Sequence, residues 1–547
     1  EARVAPDERG VDACEDGDLC TSGERCFCDD GIECRGLECG GGEPVVSTVR
    51  RCADGLCFTD TTTTAGIAWT ATGVAPHALG GGAVMADLDG DGWLDLVMGT
   101  ESAPLALYVN DRAGGFADRT AGSGLEATFD ADDYFGGVTA GDYDGDGDLD
   151  LYFAANGRNR LFANDGRGHF ADVTEATGTG DDRWSMGAAF GDMDGDGDLD
   201  LVVANYVAQV GSSYPYHDAT PNALYENQGD GTFVDVAAAR KVGGASGVSG
   251  DAPGATLVVA FSDFDQDGDV DLLECNDFGD TVHPNELYAN DGAGNFARVG
   301  SMLGADIAVL CMTIAQGDVD RDGDFDFYHT NIGRNALLAS EPAGFHDVAD
   351  AYGATLEHDD CRVDFKQAGW GAVFEDFDND GWLDLFVAAG YIPATRLLEN
   401  PAEQRNVLFA NRGPDRPFMD VSASAGVDRR RQSRGVAAGD YDRDGDVDLF
   451  IINLAGPPEL LRNDAPTERR ALTIELEGRS SNRFAPNALV RVYAGDAIHV
   501  REHGVRPSFA SASPTEVYVG VGPSAVVDAL DVRWPSGIHS RRLGAPL

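Results

Sequence analysis

Short apolar runs separated by acidic turns occupy most of the chain. Seven follow one pattern: LDLVMG from Leu94, LDLYFAA from Leu149, LDLVVAN from Leu199, VDLLEC from Val270, FDFYHTN from Phe325, LDLFVAA from Leu383 and VDLFIIN from Val447. Runs this short, rich in β-branched and aromatic residues and bounded by Gly and Asp, predict strands rather than helices. Each is preceded by a strand of small residues, such as GGVTAG or WGAVFE. Each is followed by a third strand, such as NRLFAND or NELYAND, and in most units a Gly-containing turn leads to a fourth, such as HFADVTEATG. Four short strands per unit of about 50 residues describe a propeller blade. The pattern therefore predicts an all-β fold: a seven-bladed β-propeller over residues 58–466, a small C-terminal β domain over 467–547 and an N-terminal disulfide-rich segment over 1–57.

The seventh unit runs into RRALTIELEG without its fourth strand, while CFTDTTTTAGI, Cys57–Ile67, matches the fourth strand of the other units. The N-terminal strand is expected to complete the last blade, which closes the ring and removes an open edge.

Between the first two strands of every unit lies a loop with Asp at positions 1, 3, 5 and 9 and Gly at position 6. Loop starts are 55, 50, 71, 55, 58 and 64 residues apart, a fixed unit with variable insertions. Calcium takes six to eight oxygens, mostly carboxylate and carbonyl, and this spacing supplies them. Odd positions 1 to 9 give the expected ligands, position 7 through its backbone carbonyl because Trp serves there twice. They are Asp87, Asp89, Asp91, Trp93 and Asp95; Asp142, Asp144, Asp146, Asp148 and Asp150; and Asp192, Asp194, Asp196, Asp198 and Asp200. Next come Asp263, Asp265, Asp267, Asp269 and Asp271, then Asp318, Asp320, Asp322, Asp324 and Asp326. The last two sets are Asp376, Asp378, Asp380, Trp382 and Asp384, and Asp440, Asp442, Asp444, Asp446 and Asp448. About seven calcium ions are expected. An EF-hand loop ends in Glu at position 12 between helices; here position 12 is Met98 or Phe153 and the flanks are strands.

The formal charge of −55 repels nucleic acid and anionic lipid and attracts cations. Lysine occurs only at Lys241 and Lys366, so no nucleic-acid partner is expected, and no run is apolar enough to span a bilayer. Eight of the eleven cysteines, Cys14, Cys20, Cys26, Cys28, Cys34, Cys39, Cys52 and Cys57, fall before residue 58. An even, dense set of this kind reads as a disulfide framework of an exported protein. With no histidine before His77 and no paired CxxC, zinc fits less well. The sequence starts at Glu1 without an apolar leader, so a removed signal peptide is the expectation. Cys275, Cys311 and Cys361 leave one thiol over if two of them pair.

The repeats resemble the FG-GAP/VCBS blades of integrin α-subunit propellers, whose calcium loops have the form DxDxDGxxD. Residues 467–547 resemble the ASPIC/UnbV domain through GRSSNRFAPNALVRVYAG, RPSFASASPTEVYVGVG and VVDALDVRWPSG. Propeller and tail together are similar to the cartilage acidic protein family and its bacterial relatives. The resemblance implies a secreted calcium-binding protein of matrix or adhesion, and implies no reaction.

Long loops on a rigid scaffold are where binding concentrates. The longest insertions fall on the face away from the Asp loops, and YVAQVGSSYPYHDATP offers Tyr206, Tyr214, Tyr216 and His217 as partner-binding residues. The partner is expected to be an extracellular protein or glycan, or copies of the chain itself in a homopolymer. HExxH, G-x-S-x-G and P-loop motifs are absent from the sequence, so no enzyme is expected. Three readings follow: an adhesion or binding protein, a structural subunit of an extracellular filament, and an enzyme acting on polysaccharide.

Overall fold

The computed structural model describes residues 20–21, 38–39, 55–71, 79–126, 133–208, 218–244, 252–356, 358–359, 362–391, 403–414, 416–464, 469–522 and 526–546. These residues form an all-β molecule with five one-turn helices. Seven sheets, numbered one to seven here, are built over residues 81–118, 134–172, 185–235, 255–298, 314–347, 369–420 and 433–463. Within each, successive strands pair antiparallel, and each holds one Asp loop between its first and second strands.

The apolar runs are continuous rather than alternating because second strands are buried on both faces. Asp95–Thr100, Asp200–Asn205 and Asp384–Ala389 are buried at every position. Their cores lie between sheets: Val84, Val97 and Leu107 of sheet one pack with Phe135, Leu151 and Phe153 of sheet two. Leu96, Met98 and Tyr108 pack the other way, with Tyr441, Phe450 and Ile452 of sheet seven. Among the described residues, first strands of neighbouring sheets pack together at six of the seven seams, all but that between sheets four and five, and include the pair 433–439 and 81–86 that joins sheet seven back to sheet one.

The closing strand is where the sequence places it. Phe58–Asp60 forms the fourth strand of sheet seven, with Phe58 opposite Asn463 and Asp60 opposite Leu461. Cys57, at its start, is disulfide-bonded. In the N-terminal segment only a short ladder, Cys20–Thr21 against Glu38–Cys39, lies among the described residues.

The C-terminal domain departs most from a separate tail. It contains a sheet of Ala488–Ala494, Ala497–His503, Val526–Arg533 and His539–Pro546, and a pair, Arg470–Ile474 with Val517–Gly522. Between them, the hairpin Arg506–Ser508 and Ser511–Ser513 enters the centre of the ring and extends sheet one to six strands. Its two strands touch the first strands of sheets one, two, four, five, six and seven. Phe509 is fully buried, 4.6 Å from the ring of Trp370. Three serines cap first-strand amides: Ala83 N–H donates to Ser511 Oγ (3.0 Å), Ala372 N–H to Ser508 Oγ (3.2 Å) and Ala438 N–H to Ser513 Oγ (3.1 Å). This explains the small residues of the first strands. A Cβ on Gly82 would lie 1.9 Å from Ala510 O, and one on Gly435 2.0 Å from Ser511 Oγ. Phe509→Ala is expected to cost ~3–5 kcal/mol, the range for a truncated core aromatic, as measured by urea unfolding of the full chain.

One seam is held differently. Cys275 in the second strand of sheet four is disulfide-bonded to Cys311, just before sheet five. Cys361 lies outside the described residues.

Candidate metal centres

Each Asp loop is built on backbone hydrogen bonds to its own carboxylates. In every loop but the second, the position-1 carboxylate accepts from the N–H of the position-6 glycine, as Asp87 does from Gly92 (2.8 Å), Asp192 from Gly197 (3.0 Å), Asp263 from Gly268 (3.3 Å), Asp318 from Gly323 (3.4 Å), Asp376 from Gly381 (2.7 Å) and Asp440 from Gly445 (3.0 Å). That glycine has φ between 85° and 113° in all seven loops, a region closed to most side chains. Position 4 is left-handed too. Loops one to three meet this with Gly, while loops four to seven carry Gln266, Arg321, Asn379 and Arg443 at φ 56–60°. These strained residues each reach the following loop. Gln266 donates to Gly323 O, Arg321 to Gly381 O, Asn379 to Asp446 Oδ1, and Arg443 lies over the Trp93 ring.

The position-9 aspartates are buried and doubly bonded. Asp150 Oδ2 accepts from Tyr143 N–H (3.1 Å) and Oδ1 from Asn164 N–H (2.8 Å), and the same pair of bonds recurs at Asp95, Asp200, Asp271, Asp326, Asp384 and Asp448. The second donor is an asparagine that sequence reasoning passed over: Asn110, Asn164, Asn227, Asn290, Asn411 or Asn463, at the end of the third strand. Its Nδ2 also donates to the position-2 carbonyl of the preceding sheet's loop. Asn164 reaches Leu88 O (2.9 Å), Asn227 Tyr143 O (2.8 Å) and Asn463 Phe377 O (2.7 Å). The asparagines thus latch each loop to its neighbour. Its regular place after LFA, LYE or LYA was the available signal.

Sheet five has Ser340 at this place, which donates its N–H to Asp326 but has no side-chain amide for sheet four. The seam without the asparagine latch is the one crossed by Cys275–Cys311. Replacing both cysteines by Ala is expected to cost ~2–4 kcal/mol. The Asn290→Ala change at the neighbouring seam should add to that loss almost independently, which a double-mutant cycle by denaturant unfolding reads directly.

Burial dominates the electrostatics. Desolvation pushes the carboxyls of Asp95, Asp150, Asp200, Asp271 and Asp326 up to about 8, and those of Asp142, Asp192, Asp318 and Asp440 up to about 6. Neighbouring loop carboxylates push the same way. In loops one, two, three, five and seven a buried carboxylate oxygen has no hydrogen-bond donor: Asp89 Oδ1, both oxygens of Asp142, Asp194 Oδ1, Asp318 Oδ2 and Asp442 Oδ1. Asp142 is 1% exposed and Asp318 2%. The donorless oxygens of buried Asp142 stand in a group with the exposed Asp144 and Asp146 whose carboxylate oxygens lie within 4.8 Å of one another, an arrangement that fits a hard divalent cation. Loops four and six differ. Arg533 pairs with Asp263, and Arg412 (2.9 Å) and Arg469 (2.7 Å) pair with Asp378. A cation there competes with guanidinium groups, as it does in loop one, where Arg112 pairs with Asp91 (2.5 Å).

The C-terminal domain rests on this face. Asn482 donates to Asp142 O (2.9 Å), Asp263 N–H donates to Glu502 Oε1 (2.9 Å), Gly522 N–H donates to Asn379 O (3.0 Å) and the Tyr518 hydroxyl accepts from Asp440 N–H (3.2 Å). The loops therefore position this domain as well as their own strands.

Of the sequence's partner-binding set, only Tyr206 lies among the described residues. Tyr206 is 5% exposed, stacks edge-on against Trp184 and donates its hydroxyl to Asp277 Oδ2 (2.8 Å), so its side chain faces inward. Tyr214, Tyr216 and His217 lie outside the described residues.

Comparison with known proteins follows the same division. A family model described as FG-GAP-like repeat matches residues 87–153, 142–203, 263–329 and 376–451, and one described as ASPIC and UnbV matches 478–545. Cartilage acidic protein 1 of Mus musculus and of Homo sapiens are each 28% identical over 206 residues, 37% of this chain. The match spans 29% of the mouse protein and 28% of the human one, so the chain aligns to under a third of these relatives. Among solved structures, the Dos1 propeller is 10% identical over 70% of this chain and 93% of its own, at a TM-score of 0.33. A likeness that loose says nothing about ligand or activity.

Proposed function

This chain belongs to the cartilage acidic protein-like family, FG-GAP repeats joined to an ASPIC and UnbV domain, and from that premise we propose a seven-bladed propeller locked by calcium that acts as an extracellular binding protein. The observation that carries the reading is the set of buried, donorless carboxylate oxygens in five of the seven loops. Leaving a buried charged group unpaired is costly; a cation of charge +2 with oxygen preference removes the cost at each loop. Asp at positions 1, 3, 5 and 9 would hold the ion, which supplies a crosslink between the first two strands of each sheet. Loops four and six, which have arginine pairs and no donorless carboxylate oxygen, are expected to hold calcium most weakly. An extracellular setting is supported by the disulfides at Cys57 and between Cys275 and Cys311 and by the likeness to cartilage acidic protein 1.

The reading includes no catalysis. His329, His499 and His503 are enclosed, and burial pushes their imidazoles down to about 3, 3 and 4, so they stay neutral. A second reading, a self-assembling subunit, is favoured by the edge strand His539–Pro546, where Leu543 is 71% exposed and Ile538, just before it, 51%. Unpaired edges with apolar side chains recruit further strands. Size-exclusion chromatography over a concentration series separates the two: a constant monomer supports the first. For the calcium reading, replacing Asp144 and Asp146 by Ala is expected to remove about one bound ion and to leave the other sites titrating as before by calorimetry.

A further inference from the structure

A cleft of about 720 Å³ opens between Asp loop five and the C-terminal domain. One wall is Asp320, Asp322 and Asp324 of the loop; the other is Arg491, Tyr493 and Ile498 of the strands 488–494 and 497–503. Arg321 forms the floor. Its guanidinium lies 3.7 Å over the Trp382 ring and donates to Gly381 O (2.8 Å), so the group is fixed in place. Arg491 is fixed as well, by donating to Gln266 Oε1. Asp322 and Asp324 are exposed, and Ile498 is 44% exposed at the rim.

The size is that of a small-molecule or oligosaccharide site rather than of a surface dimple. The lining is mostly charged and polar, with the Tyr493 hydroxyl and one exposed aliphatic, Ile498; its large aromatic, Trp382, is covered by Arg321 rather than open as an apolar anchor of the kind on which protein interfaces concentrate their energy. Its charge depends on the loop's cation. Without one, the four carboxylates of Asp320, Asp322, Asp324 and Asp496 outweigh the two guanidinium groups, and an anion is repelled. With a divalent ion in the loop the lining is balanced, and Arg321 and Arg491 are left as preorganised donors for carboxylate.

We infer that this cleft binds an acidic saccharide, a chain bearing uronate carboxylates, and does so only when loop five holds its cation. The inference rests on the calcium reading above. The carboxylate pairs with Arg491, the sugar hydroxyls meet the loop and Tyr493, and Ile498 borders the entrance.

The test uses the full chain in excess calcium, titrated by calorimetry with a galacturonate trimer and, separately, with a neutral galactose trimer; metal content is measured on the same samples. Saturable binding of the uronate alone is expected. Arg491→Gln should weaken it about tenfold through loss of a charge-assisted pair. Ile498→Glu, at an exposed position that folding does not depend on, should weaken it similarly by adding a negative charge at the rim. Absence of uronate binding in protein that carries its full calcium, or binding unmoved by both substitutions, overturns the cleft assignment and leaves the calcium reading standing. Protein that takes up two ions or fewer overturns both.

Discussion

Removing calcium is expected to lower the melting temperature by roughly 10 °C or more, and to reverse how stability depends on pH. A ligand that binds only the folded state stabilises it by about 2.7 kcal/mol per site at a hundredfold excess over Kd. Five well-formed sites therefore rival the usual ~5–15 kcal/mol of a folded domain. The reversal follows from the buried carboxyls. In the metal-free protein burial holds Asp95, Asp150, Asp200, Asp271 and Asp326 at about 8, against about 3.9 in an unfolded chain. A folded-state pKa raised above the unfolded one contributes stability that is fully present below about pH 4 and is lost as pH rises through about 8. Chelated protein should melt higher at pH 5 than at pH 8. Calcium requires these ligands ionised, so the calcium form should melt higher at pH 8 than at pH 5. Scanning calorimetry at the two pH values, with calcium, with magnesium and with chelator, reads all of this. A chelated melt within a degree or two of the calcium melt would mean that the loops are ordinary acidic turns.

Deleting residues 57–67 is expected to abolish cooperative folding, while deleting residues 1–42 changes the melt by only a few degrees. The first deletion removes Phe58, fully buried and 5.7 Å edge-on from Phe377 of sheet six, for which truncation alone is worth ~3–5 kcal/mol. It also removes the ladder to Asn463 and Leu461, the Asp60 pair with Arg429, and the Ala65 carbonyl that accepts from Phe116 N–H of sheet one (2.7 Å). Sheets seven and one would both lose partners, and the third strand of sheet seven would become an open edge. Residues 1–42 supply no strand to the seven sheets among the described residues. Equal melting temperatures for the two truncations would contradict this closure.

The strand-level architecture was legible because two independent signals agreed: apolar runs of strand length, and Asp loops in fixed register before them. The closing strand was legible because a gap at one end of the repeat matched a surplus at the other. The latching asparagines were harder to read. A single Asn after LFA or LYE looks like an ordinary turn residue, and only the fold brings its amide to a carbonyl on the neighbouring sheet, as from Asn227 to Tyr143. The role of the C-terminal domain was not legible for the same reason. RPSFASAS has no marked periodicity, and its depth in the ring depends on Gly82, Gly137 and Gly435, far away in sequence. Nor does composition distinguish loops four and six from the others, since Arg533 and Arg469 arrive from the C-terminal part of the chain. Tyr206 was misplaced because it follows an apolar strand directly; the same stretch that carries an exposed-looking loop begins with a residue that the Trp184 ring and Asp277 draw inward.

The central claim is that these loops are metal sites, and metal content tests it most directly. Protein stripped with chelator, reloaded in millimolar calcium and passed through a desalting column should carry about seven calcium ions per chain by elemental mass spectrometry. The two sites at loops four and six should empty first as free calcium is lowered. Two ions or fewer per chain at saturation would contradict the account.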